Sequence, residues 1–433
     1  MTILKEYETY LTVYGNRSEL YLGETKTVYM EGRQTSDAVE RTQKIVKAFE
    51  DGFYVMAMNH LQETVASGGL SDEQSGIIKS LVNGVTSEVG RALVGLTCLQ
   101  LAIKSIEPHQ SIRLHKGGKS DSRFSWQEGI SMRTLDNTFN TPFLREYGLL
   151  KINKDGIMMT RSLAENYPYS RLYKAEMRGP IKPWLEIVET AESGSLPPYP
   201  ALCLLLSLLK NNSDTFAAKA EQVISVAKRV KTGFTDAVQI ITRFVSETTY
   251  SARAFEVVIH SFMQALTEMR LADGGLVPLS QMRSANKKHG NVGDIELKHG
   301  NIIIESWDAK YGKPYLRDEL EELNDKLEYH PNVEVAGFIV NTDVDRSSEI
   351  VERAEEISDI HECEVHLLSF SEWIDMKTDG LSEKQKTELG QRWIIAAVES
   401  FGQKRLDVAP IDEPCDAWLD SLLAILANKN VTI

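Results

Sequence analysis

The stretch GDIELKHGNIIIESWDAKYGK, residues 293–313, decides how this chain is read. Two apolar runs, DIEL and NIIIESWDAK, flank the turn KHGN, which predicts a hairpin of two strands. Along the second strand a period of two puts Ile302, Ile304, Ser306, Asp308 and Lys310 on one face. Ile303, Glu305, Trp307 and Ala309 fall on the other. Asp308 and Lys310 therefore point the same way at the strand end. Asp294 begins the preceding strand and falls beside Asp308, with Glu296 on the same face. Charge at a buried strand end is costly unless it is paired or used. A structural ion pair between Asp308 and Lys310 is one use. The other is chemical: carboxylates hold Mg²⁺, a hard ion that keeps several of its waters. Such an ion lowers the pKa of a bound water and shields phosphate charge, while an ammonium steadies the charge that develops. Phosphodiester hydrolysis needs these parts and no organic cofactor.

Outward from the hairpin, helical and strand patterns alternate. SARAFEVVIHSFMQAL precedes it, with Phe255, Val258, Ile259, Phe262, Met263 and Leu266 at helical spacing. A charged helix (YLRDELEELNDKLEYH), a buried strand (VEVAGFIVNT), a helix (SEIVERAEEISDI) and a strand (EVHLLSF) follow. A mixed sheet flanked by helices, an α/β core, is the expectation. Two more helices are predicted from about residue 381.

On these residues the segment resembles the PD-(D/E)XK nucleases, which include many type II restriction endonucleases. The match is Asp294 on the hairpin, then Asp308-Ala309-Lys310 on the next strand, within the order helix, hairpin, helix, strand, helix, strand. Gly293 stands where the motif's name has proline, and the likeness covers roughly residues 245–372. The resemblance implies Asp294, Asp308, Lys310 and Glu256 as catalytic residues, Glu256 being the glutamate of the preceding helix. It implies Mg²⁺, with Mn²⁺ able to substitute, held by Asp294, Asp308 and the carbonyl of Ala309. It also implies cleavage of double-stranded DNA by an activated water with inversion, leaving a 5′ phosphate, often by a homodimer that cuts both strands. A restriction role would bring a cognate DNA methyltransferase as functional partner.

The N-terminal part, residues 1–232, is expected to be a mainly helical DNA-recognition domain, with KTGFTD opening the nuclease domain, 233–433. Residues 36–68 and 72–107 read as two long helices, the second opening on the capping sequence SDEQ. Between 109 and 133, Arg113, Lys116, Lys119, Arg123 and Arg133 sit among Gly and Ser near Phe124 and Trp126. This reads either as a phosphate-contacting loop or as a solvated one. Residues 130–170 resemble the second half of a winged helix-turn-helix, a short helix at Thr141-Pro142 followed by a hairpin around Asp155-Gly156. Arg145, Lys151, Lys154 and Arg161 would then meet DNA; a small α+β element that packs without touching DNA is the alternative. Arg283, Lys287 and Lys288 lead into the hairpin and suit a polyanionic substrate, or form a flexible loop.

Other chemistries are excluded by spacing. HKGGKS fails as a phosphate-binding loop because Arg113 occupies the first glycine position. HECEVH puts His361 and Cys363 on one strand face and His366 on the other, which matches no zinc pattern. The four cysteines are scattered, and the longest apolar run, ALCLLLSLL, is too short to span a bilayer. A cytoplasmic protein with no membrane partner is expected. The net charge of −14 argues against an all-basic surface and places acid on the outer helices. Two other classes remain: a non-catalytic DNA-binding regulator, which has no need of converging carboxylates, and a DNA repair nuclease.

Overall fold

The computed structural model describes residues 2–6, 9–85, 88–115, 125–152, 154–157, 163, 167–173, 177–279, 291–312, 314–402 and 415–430. The chain divides into two compact units, Met1–Thr215 and Phe216–Ile433. The division falls inside one long helix, and KTGFTD marks the end of that helix.

The first unit opens on a four-stranded antiparallel meander that the sequence reading did not anticipate: β1 (Thr2–Glu6), β2 (Thr9–Val13), β3 (Arg17–Leu22) and β4 (Thr25–Met30). Leu11 pairs with Leu20, and with Tyr29 they cover Leu114 and Trp126. The first expected long helix is three: α1 (Ser36–Glu50), α2 (Phe53–Asn59) and α3 (Leu61–Ala66). Gly52, at φ +86°, turns the chain between the first two. The second is α4 (Asp72–Asn83) and α5 (Glu88–Ile106). Ser71 caps α4 as SDEQ predicts, accepting from the Gln74 N–H at 3.2 Å while the Gln74 side chain accepts from the Ser71 N–H at 2.8 Å. From Ala92 to Ile103, α5 is almost wholly buried and forms the centre of the unit's helical core.

Next come α6 (Met132–Leu135), a π-helical turn over Asp136–Asn140, and α7 (Thr141–Glu146). Among the described residues of 130–170 there is no strand. The Asp155-Gly156 turn does not project as a wing but docks on the buried carboxylate of Asp136, which accepts from the Ile157 N–H at 2.7 Å. Asp136 also accepts from Asn140 and Thr141, and a Cβ on Gly156 would lie 2.1 Å from the Asn137 side-chain oxygen. Ile152 and Ile157 are buried in the core. The second arm of the expected hairpin, 158–162, lies outside the described residues. Helices α8 (Ile181–Glu192) and α9 (Pro198–Arg229) complete the unit, α9 running on past the division.

The second unit is a mixed five-stranded sheet with helices on both faces. Its elements are α10 (Phe234–Glu247), α11 (Ser251–Glu268), β5 (Gly275–Leu276), β6 (Ile295–His299), β7 (Ile302–Lys310), α12 (Leu316–Leu327), β8 (Val335–Val340), α13 (Ser348–His361), β9 (Glu364–Ser369), α14 (Phe370–Thr378), α15 (Glu383–Gly402) and α16 (Cys415–Asn430). The strand order is β5-β6-β7-β8-β9; the first three are antiparallel, and β7, β8 and β9 run parallel. Parallel neighbours need crossovers, and α12 and α13 are those crossovers. Ile295, Leu297, Trp307 and Ile339 pack toward α11 and α15, whereas Ile303, Ala336, Phe338 and Val340 pack toward α12 and α13. Helix α11 is buried from Arg253 to Leu266, which explains why it is apolar around much of its circumference. Among the described residues, no helix is long and apolar enough to cross a membrane.

Two glycines test this packing. A Cβ on Gly337 of β8 would sit 2.2 Å from the His366 carbonyl oxygen of β9, whereas one on Gly76 of α4 would meet nothing within 4 Å. Gly337→Ala is expected to lower stability by about 1–3 kcal/mol or more through forced strand displacement. Gly76→Ala is expected to be neutral or stabilising, because Ala favours the helix. Urea unfolding of the two variants checks the contrast.

Candidate active site

The site begins with an irregularity in β7. Leu297 pairs with Glu305 but Lys298 pairs with Ile303, so Ile304 is an extra residue and the strand bulges there. Simple alternation along β7 therefore fails at this point. Ile304 packs toward α11, away from Asp308, and Ile302 is exposed. Beyond the bulge the alternation resumes. Ser306, Asp308 and Lys310 register with Ala336, Phe338 and Val340, and the Lys310 ammonium lies 5.8 Å from the centre of the Phe338 ring. The expected shared face of Asp308 and Lys310 holds; that of Ile302 and Ile304 with them does not.

Gly293 brings Asp294 to this face. A Cβ at 293 would be 2.6 Å from Ser306 Oγ and 2.8 Å from the Trp307 carbonyl oxygen. A proline ring has no room there, so the close approach requires glycine at 293. Asp294 then meets Asp308 by two crossed hydrogen bonds. The Asp294 N–H donates to Asp308 Oδ1 at 3.0 Å, and the Ala309 N–H donates to Asp294 Oδ2 at 3.2 Å. Burial first, and the Asp308 charge second, push the Asp294 carboxyl up to about 7; Lys310, the Ala309 N–H and Arg253 oppose the rise. The Lys310 ammonium lies 3.7 Å from Asp308 Oδ2 and 2.6 Å from Glu319 Oε2. Burial lowers the Lys310 pKa, but the charges of Asp308, Glu319 and Asp294 and the Glu319 hydrogen bond outweigh it, so the ammonium is held above its usual range.

The other acidic residues are placed as follows. Glu256, buried on the second turn of α11, pairs with Arg253, whose charge also reaches Asp294. Glu256 is thus joined to the carboxylate pair through an arginine. Glu296 is 2% exposed; one oxygen accepts from the Val292 N–H at 2.7 Å and the other lies 3.5 Å from Lys298. Glu305 faces the opposite side of β7 and pairs with Lys377 of α14.

Among the described residues, no group of three or more His, Cys, Asp and Glu side chains is placed to hold a metal. Mg²⁺ asks for less, one or two carboxylates completed by waters and substrate oxygens. Asp294 and Asp308 fit that need: burial is the larger cause of the raised Asp294 carboxyl, and the Asp308 charge, the second cause, is what a divalent cation relieves. The His361/Cys363/His366 group fits no metal, for a different reason than strand alternation: His361 ends α13 and bonds Asn324 at 3.0 Å, while His366 stacks near Trp307.

The basic residues separate into three groups. Arg113 is 3% exposed and donates to the Tyr169 carbonyl at 2.6 Å, and Arg145 donates to the Ile152 carbonyl, so both hold loops of their own unit. Arg133 and Lys154 are exposed and Lys151 is half-buried. Lys116, Lys119, Arg123, Arg161, Arg283, Lys287 and Lys288 lie outside the described residues. Sequence reasoning missed Glu319 and Arg253. Glu319 stands in DELEEL, which reads as a solvated acidic face, and only the fold of α12 brings it to Lys310. A scan against protein-family models found no match for the chain, and a search of curated proteins found none.

The raised Asp294 carboxyl has a stability signature. Its folded pKa, about 7, lies above the ordinary 3.8, so the folded state binds the proton more tightly than the unfolded state. That contribution is fully present below pH ~4 and is lost as pH rises through ~7. Without divalent cations, Asp294→Asn is therefore expected to unfold at higher temperature than the parent at pH 8, the advantage vanishing toward pH 4. Calorimetry across that range checks it; an advantage independent of pH would contradict it.

Proposed function

We propose that the second unit is a Mg²⁺-dependent DNA endonuclease of the PD-(D/E)XK kind, acting as a site-specific restriction enzyme on double-stranded DNA. The observation that carries this reading is the convergence of Asp294, Asp308 and Lys310 at one end of β7. The scaffold of α11, the β6–β7 hairpin, α12, β8, α13 and β9 supports it by keeping the order on which the resemblance rests.

Asp294 and Asp308, with the Ala309 carbonyl, would hold Mg²⁺, or Mn²⁺ in its place. Bound there, the ion supplies a water of lowered pKa and neutralises phosphate charge. Asp308 Oδ2 and the Lys310 ammonium face each other across 3.7 Å, beyond hydrogen-bond length. That spacing leaves Lys310 donors to orient the attacking water and to steady charge on the phosphate oxygens. Arg253 and Glu256 back the carboxylate pair from α11. In this reading the first unit is the recognition half, and Arg133 and Lys154 are two exposed cations it would offer to DNA. Pairing as a homodimer would let both strands be cut, and a cognate methyltransferase would protect the host.

Purified protein with Mg²⁺ is expected to cut unmethylated plasmid or phage DNA into discrete fragments. EDTA or Asp308→Ala should abolish cutting, and Lys310→Ala should slow it by about 10²-fold or more. Cutting confined to branched or damaged DNA would move the assignment to a repair nuclease. DNA binding without cutting would move it to a regulator.

A further inference from the structure

Lys310 presents a problem for any cation that shares its site. An ammonium within direct hydrogen-bond reach of Asp308 would neutralise the carboxylates and compete with a metal for them. The ammonium does not sit there. It is 2.6 Å from Glu319 Oε2, a charge-assisted hydrogen bond, and 3.7 Å from Asp308 Oδ2, which is too long for one. Glu319 lies in the first turn of α12, and the crossover from β7 to β8 fixes α12 on the sheet face that carries Lys310. Leu316 and Leu320, which flank Glu319 on α12, are buried in the core beneath it, so the backbone that carries this carboxylate is held by packing. The Phe338 ring, 5.8 Å from the ammonium, is the strand neighbour of Asp308 and does not account for the offset, which leaves the Glu319 hydrogen bond to do so. Asp308 and Asp294 meanwhile take their other hydrogen bonds from the main chain, at the Asp294 and Ala309 N–H groups.

We infer that Glu319 is a positioning residue: it draws the Lys310 ammonium away from the Asp294–Asp308 pair and so keeps that pair free to bind a divalent cation. The inference rests on the nuclease reading of the site, and it assigns a function to a residue the motif does not contain. Freed from Glu319, Lys310 moves onto Asp308 and occupies the charge that the cation would have used.

A double-mutant cycle read by metal binding tests this. Mg²⁺ affinity is measured by titration calorimetry on the full chain, without DNA, for the parent, Glu319→Gln, Lys310→Met and the double variant, with Glu319→Ala carried in parallel. Glu319→Gln keeps the shape of the side chain, and circular dichroism verifies that each variant is folded. The expected result is a loss of Mg²⁺ affinity on the order of tenfold in Glu319→Gln, which disappears when Lys310 is already Met. A loss of the same size in both backgrounds would overturn the inference, because Glu319 would then act by its own charge. Unchanged affinity in both Glu319 variants would overturn it too while leaving the metal site standing. A parent that binds no Mg²⁺ would sink the metal site itself, and the inference with it.

Discussion

The close approach of the chain at Gly293 to strand β7 is the constraint on which the site depends. Nothing larger than hydrogen fits between residue 293 and the Ser306 hydroxyl and Trp307 main chain. That approach sets Asp294 opposite Asp308 and forms the two main-chain hydrogen bonds that lock the carboxylates together. Two buried carboxylates this close repel, and neither would be stable there without the surrounding fold. The fold provides the compensation locally: N–H groups from Asp294 and Ala309 bond the pair directly, while the Lys310 ammonium, held on Glu319, and the Arg253 charge act on it only through space. Burial first and the Asp308 charge second leave the Asp294 carboxyl raised, and the Asp308 part of that rise is what a divalent cation would relieve.

The same fold positions the partners. A parallel β7–β8 pair requires a crossover, the crossover is α12, and the first turn of α12 brings Glu319 to Lys310. The bulge at Ile304 performs a second task. It lets the lower part of β7 bury Ile304 against α11 while the upper part turns Ser306, Asp308 and Lys310 toward the α12 side. Trp307, on the opposite face, anchors that upper part between Ile295, Ile339 and Trp373, so the strand that carries Asp308 and Lys310 is held by packing.

Much of this was legible in the sequence, and the limits have physical causes. The hairpin, the Asp294–Asp308 juxtaposition and the shared direction of Asp308 and Lys310 follow from a period of two and a short turn. The bulge does not, because one extra residue leaves no mark in an isoleucine run. The long helices read over 36–68 and 72–107 are broken at Gly52 and near Gly84, where apolar spacing continues across the break. Strands β2 and β3 carry β-forming Leu, Tyr, Thr and Val in TYLTV and RSELYL, a strand signal legible in the sequence but short enough to read as loop beside the long helices. The Asp155-Gly156 turn looked like a wing because its flanks are apolar. Those flanks are apolar because Ile152 and Ile157 enter the core, and Asp136 receives the turn. Arg113 and Arg145 show the same ambiguity: a guanidinium that bonds a carbonyl inside its own unit reads, in sequence, like one offered to phosphate.

The most direct measurement is anomalous diffraction from crystals of the protein soaked in Mn²⁺. A metal peak is predicted within about 2–2.5 Å of carboxylate oxygens of both Asp294 and Asp308, with the Lys310 ammonium still on Glu319. No peak there, with the Lys310 ammonium closed onto Asp308 within hydrogen-bond length, would contradict the metal site and leave these residues as a structural pair at the end of a strand.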